Sequence, residues 1–102
     1  MKKTSMHIIS KKKLREFWQT EKEAEIPLDT WYRMAKRSSW RNLQEVRAVY
    51  SHADSVGDCV VFNIGGNKYR LIVKFEFLKQ TIYIKFVLTH KEYDKKVWKK
   101  DC

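Results

Sequence analysis

The chain has 102 residues, 43% of them hydrophobic and 14% aromatic, with 22 basic against 12 acidic side chains and a formal charge of +10. That length carries one small domain with one core, and the apolar share excludes a disordered chain. The charge points to a polyanionic partner, whether nucleic acid, a phosphate-rich assembly or an acidic protein.

From the start of the chain, residues 1–5 read as a loose basic segment and residues 6–9 as a short strand. Ser10 suits a helix N-cap. Lys11, Lys12 and Lys13 then stand in a first turn, where positive charge opposes the helix dipole and hints at a use for it. Leu14, Phe17 and Trp18 fall at i, i+3 and i+4, one helical stripe. Glu21, Glu23 and Glu25 sit near a break before Pro27. A second helix is predicted over residues 28–37, with Leu28, Trp31, Tyr32 and Ala35 on one face. A face packed on a sheet is the preferred reading of those aromatics, ahead of a cofactor box. Residues 42–46 fit one helical turn and residues 50–57 a polar loop.

The most strongly patterned stretch runs from Cys59 to Asp94. Residues 59–64 are β-branched and apolar, and Gly65-Gly66-Asn67 is a hairpin turn because these residues accept positive φ. Residues 69–77 and 81–88 complete an antiparallel meander. Alternation puts Tyr69, Leu71, Val73, Phe75 and Phe77 on a core face and Arg70, Ile72, Lys74 and Glu76 on the other. It likewise puts Ile82, Ile84, Phe86 and Leu88 on one face, with Tyr83, Lys85, Val87 and Thr89 opposite. Arg70 and Lys85 are therefore expected on one face of adjacent strands. The order is β-α-α-β-β-β with a short tail, an α+β fold in one domain, residues 1–102, with two helices on one sheet face.

Two cysteines, Cys59 and Cys102, are too few for a disulfide framework or a zinc site, so reduced thiols are expected, with Cys59 a small core residue. No segment approaches the ~20 apolar residues of a membrane span and no leader pattern is present, so a soluble, cytoplasmic protein with no membrane partner is expected. GGN lacks the lysine and serine of a phosphate-binding loop. The carboxylates Asp58, Glu76, Glu92 and Asp94 are too sparse for a two-metal nuclease, so neither a metal nor a small-molecule cofactor is expected.

Metal-free RNA cleavage needs a base for the ribose 2′-OH, a cation for the charge growing on phosphorus, and an acid for the leaving 5′-oxygen. Arginine fits the second role, since its planar guanidinium grips phosphate oxygens at two points. His90, Tyr93 and the lysines can move protons. A structural role for His90 and ring packing for Tyr93 are the plainer readings of each residue alone.

The runs VFNIGGNKYRLI and IYIKFVLTHKEYD, with the preceding VRAVYSHADSVGD, resemble the HigB family of type II toxins, RelE-like messenger-RNA endonucleases. HIISKKKL resembles that family's first strand and helix start. The resemblance implies a RelE-like α+β fold and metal-independent cleavage of messenger RNA on the ribosome. It also implies neutralisation by a HigA-like helix-turn-helix antitoxin. It maps the phosphate-binding arginine to Arg70 and the terminal catalytic groups to His90, Lys91 and Tyr93. Asn63 stands where relatives often place a basic residue, which leaves the general base open. Asn63, Lys68, Lys74 and Lys85 are the expected RNA-binding set. A non-catalytic RNA- or ribosome-binding module, and an interaction partner or co-repressor acting with an antitoxin, are the alternatives.

Overall fold

A computed structural model describes residues 5–102. The expected loose start, residues 1–4 of it, lies outside the described residues. Five strands form one mixed sheet: β1 (His7–Ile9), β2 (Asp54–Val56), β3 (Cys59–Ile64), β4 (Tyr69–Glu76) and β5 (Thr81–Thr89). Their order across the sheet is β1-β5-β4-β3-β2. Strands β2 to β5 pair antiparallel, while β1 runs parallel to the first residues of β5, with His7 opposite Thr81. A parallel neighbour requires a long crossover, and the helical part of the chain supplies it.

The helices are α1 (Lys11–Thr20), α2 (Glu25–Arg37), α3 (Leu43–Val49) and the single turn α4 (His90–Asp94). Leu14, Phe17 and Trp18 of α1 pack with Leu28, Trp31, Tyr32 and Ala35 of α2, as their helical spacing required. They meet Phe62, Leu71, Val73, Ile82 and Ile84 from the sheet, with Phe75 and Phe77 at the margin. Trp31 and Phe62, both buried, touch edge to face at 5.4 Å. This contact locks the helical layer to the middle of the sheet.

The α+β class stands, and several local expectations are corrected. Helix α2 begins at Glu25, before Pro27. Proline is tolerated in a first turn because its missing N–H has no intrahelical partner there. The turn expected at residues 42–46 extends to Val49, started by the Asn42 side chain accepting from the Glu45 N–H at 3.0 Å. Helix α3 adds Val46 to the same core, so three helices cover this face, not two. The supposed polar loop contains β2, whose strand character comes from pairing with β3. Ser10 takes the N-cap position with extended backbone but makes no side-chain cap bond.

The hairpin turn is as the sequence required: Gly65, Gly66 and Asn67 all have positive φ. In β5 the reading of the faces fails. A register shift lets Ile72 pair with Phe86 and Val73 with Ile84, leaving Lys85 without an opposite residue. This bulge reverses the sidedness of everything after it. Ile82, Ile84 and Val87 join the helical core, while Phe86 and Leu88 face the other side. There they meet Cys59, Val61, Ile72 and Trp98 in a second, smaller cluster. The expectation of reduced thiols is also overturned, since Cys59 and Cys102 are joined in a disulfide that ties the chain end to β3. No helix of the described residues is long and apolar enough to cross a membrane.

Candidate nucleic-acid interface

Strand β4 serves two faces. Leu71 and Val73 point into the helical core, and Arg70, Ile72 and Lys74 point away from it. Arg70 is half-buried and opposite Asn63 on β3 and Leu88 on β5. Its Nη1 donates to the carbonyl oxygens of Asn67 at 2.9 Å and Tyr69 at 3.2 Å. Its guanidinium carbon lies 5.0 Å from the centre of the Tyr93 ring, a cation–π distance. Among the described residues no carboxylate pairs with it. One end of the guanidinium is therefore pinned by carbonyls, and its other N–H groups are left for an anion.

Tyr93 arrives from α4. That helix starts where β5 ends, through a capping box in which Thr89 and Glu92 exchange hydrogen bonds of 3.2 and 3.0 Å. The four-residue spacing that makes the box is legible as Thr89-His90-Lys91-Glu92. The His90 N–H donates to the Lys68 carbonyl at 3.0 Å, extending the β4–β5 ladder by one step. His90 Nδ1 lies 3.1 Å from Asp94 Oδ2, one helical turn on. A carboxylate on Nδ1 orients the ring and leaves Nε2 to face other groups. Lys91 is exposed in the same turn, with no ion-pair partner among the described residues.

Arg70, Tyr93 and Asn63 thus stand together at one end of the sheet face that the helices leave free, with His90 three residues before Tyr93 at the start of α4. The structure does not bring Lys85 to Arg70. Lys85 lies instead with Lys74, further along β4 than Arg70, and with Tyr83 and Lys13 around an open concavity of about 500 Å³ beside the start of α1. Lys68 is drawn away too, its ammonium ion-paired with Glu23 ahead of α2. That hydrogen-bonded pair holds the Glu23 carboxyl below its usual range and the Lys68 ammonium above its own. Tyr83 donates to Glu76 at 2.9 Å, which pushes its phenol above the ordinary value.

Three contributors escaped the sequence reading. Asp94 reads in the sequence as one more carboxylate, although its i+4 spacing from His90 on a short helix is a usable signal. Lys13 stands out in the sequence for its place in the first turn, and only the fold joins it to Lys74 and Lys85. Trp98, among lysines, gave no periodic signal, yet it is buried and stacks on Tyr93. Among the described residues no group of three or more His, Cys, Asp or Glu side chains is arranged to hold a metal ion.

This is a small, basic α+β domain whose sheet face opposite the helices carries an arginine with no carboxylate partner among the described residues. The family model described as HigB_toxin, RelE-like toxic component of a toxin-antitoxin system, matches residues 24–96. The chain belongs to this family. It is 29% identical over 93 residues to the mRNA interferase HigB of Escherichia coli O6:H1, covering 88% of this chain and 90% of that one. It is also 29% identical over 92 residues to the mRNA interferase toxin HigB of Escherichia coli K12, covering 87% and 88%. The mRNA interferase HigB of Shigella flexneri matches to the same extent.

Proposed function

We propose that this protein is the toxin of a type II toxin–antitoxin pair and cleaves messenger RNA on the ribosome without a metal ion. A HigA-like helix-turn-helix antitoxin neutralises it. The observation that carries the reading is Arg70, pinned by two carbonyls and the Tyr93 ring with no carboxylate partner among the described residues. Membership of the toxin family and the mRNA interferase names of the relatives support it.

In this reading the ribose 2′-oxygen attacks the adjacent phosphorus and the 5′-oxygen of the next nucleotide leaves, giving a 2′,3′-cyclic phosphate. Arg70 binds the non-bridging oxygens and stabilises the charge that grows on them. His90, oriented by Asp94, and the Tyr93 hydroxyl exchange the two protons, with Lys91 adding positive potential beside them. Asn63, opposite Arg70, offers an amide to the sugar or base. Lys13, Lys74 and Lys85 form a second basic area that follows the RNA backbone away from the scissile bond. The ribosome fixes the messenger conformation that these few groups need.

Arg70→Ala tests this directly. Loss of one transition-state cation is expected to cost about 3–4 kcal/mol, two to three orders of magnitude in rate. Toxicity on expression should vanish while the melting temperature stays within a few degrees of the parent. Full toxicity in a folded Arg70→Ala protein would refute the assignment.

A further inference from the structure

Trp98 and the Cys59–Cys102 bond take no part in the cleavage chemistry, yet they bear on its two central side chains. Trp98 is 4% exposed. Its ring stacks on Tyr93 with centroids 5.0 Å apart and planes 15° from parallel, and its Nε1–H donates to the Tyr93 carbonyl at 2.9 Å. Tyr93 in turn carries the Arg70 guanidinium. The Tyr93 ring and backbone are therefore both fixed by one residue from the chain end.

Trp98 is held by packing in the small cluster with Val61 and Ile72 and by the segment that carries it. Residues after α4 form only a 3-10 turn, Val97–Asp101, and Val97 is exposed. An open concavity of about 560 Å³ lies beside this segment, lined by Phe86 and Leu88 of β5 together with Val97 and Trp98. The tail is secured at its end. Cys102 is bonded to Cys59, 43 residues earlier, and its carbonyl oxygen accepts from the Asp58 N–H at 2.8 Å. Gly57 makes room for this docking, since a Cβ there would overlap the Cys102 carbonyl.

We propose that Trp98 is the positioning residue of the Arg70–Tyr93 pair and that the Cys59–Cys102 bond sets its placement, so thiol oxidation governs how well the site is ordered. The proposal rests on reading Arg70 and Tyr93 as the RNA-cleaving pair. Release is a thiol–disulfide exchange. A thiolate of a dithiol reductant attacks the more accessible Cys102 sulfur, and buried Cys59 leaves as a thiolate and takes a proton. The reductant's second thiol then displaces Cys102, which is protonated in turn, and the reductant closes to a cyclic disulfide. Two electrons pass from the reductant to the protein.

The test compares the full chain, oxidised and after dithiothreitol, with Cys102→Ser, Trp98→Phe and Trp98→Ala. Two quantities are read: the NMR shifts of the Arg70 δ-methylene protons, which the Tyr93 ring current moves upfield, and cleavage of ribosome-bound messenger. Reduction and Cys102→Ser should each abolish the upfield shift and lower kcat roughly ten- to hundredfold with KM little changed. Cys102→Ser should not respond to dithiothreitol, and Trp98→Phe, which keeps a stacking ring, should retain far more activity than Trp98→Ala. Unchanged Arg70 signals on reduction, or a dithiothreitol response in Cys102→Ser, would overturn the proposal. Failure of every form to cleave would refute the cleavage reading instead, and the Arg70 signals would still decide the positioning role.

Discussion

The two faces of this sheet are built from the same strands and hold different things. On the helical face Phe62, Leu71, Val73 and Ile82 are fully enclosed by three helices. On the other face a smaller cluster around Cys59, Val61, Ile72 and Trp98 lies under a short tail, and Arg70 and Asn63 stand at its edge. Period-two alternation lets β4 contribute to both, so Arg70 can change without disturbing Leu71. The difference separates core packing from an open basic surface within one strand.

Substitutions on the two faces should therefore fail in different ways. The largest loss of stability is expected on the helical side. Phe62→Ala removes a buried ring that touches Trp31, Tyr50 and Phe75, and should cost about 3–5 kcal/mol by denaturant melting. A loss under 1 kcal/mol would mean that the helical face is not the main core.

Tyr93→Phe, on the other face, keeps the ring under Arg70 and removes only the hydroxyl. If that hydroxyl transfers a proton, kcat should fall by about two orders of magnitude with an unchanged melting curve. An unchanged kcat would leave Tyr93 as a platform for Arg70 and move the proton transfer to His90.

Replacing Lys13, Lys74 and Lys85 together by Gln should act on binding and not on the chemical step. The slope of log affinity for single-stranded RNA against log salt should fall by roughly 2, given about 0.7 per lost phosphate contact. The control replaces Lys95, Lys99 and Lys100 and removes the same charge. Equal slopes for the two triple variants would show that only net charge matters and that the concavity is not a binding area.

Ile72→Val trims the small cluster by one methylene and should cost only about 0.5–1.5 kcal/mol. A much larger loss would make the tail-covered face a second core of equal weight.

Much of this arrangement is written in local pattern. The stripes of α1 and α2, the Gly65-Gly66-Asn67 hairpin and the two faces of β4 follow from side-chain period and turn chemistry. Alternation within its strand places Arg70, and the role proposed for it is one that resemblance to a toxin family implies. The parts that were not legible depend on non-local partners. The bulge at Lys85 interrupts no hydrophobic pattern, so alternation runs through it and assigns Phe86, Val87 and Leu88 to the wrong faces. Asp54-Ser55-Val56 is too polar to read as a strand and becomes one only beside β3. Two cysteines 43 residues apart carry no spacing signal, and the disulfide appears only when the tail folds back on β3. The same return brings Trp98 to Tyr93.

Metal-free messenger cleavage by this protein is proposed to require the ribosome and Arg70 on the helix-free face. The most direct measurement incubates the purified protein with one messenger, free and in a translating ribosome, and analyses the ends of the products. The expected result is cleavage of the ribosome-bound messenger only, leaving 2′,3′-cyclic or 3′-phosphate ends, abolished by Arg70→Ala. Equal cutting of free RNA, or products with 3′-hydroxyl ends, would contradict it.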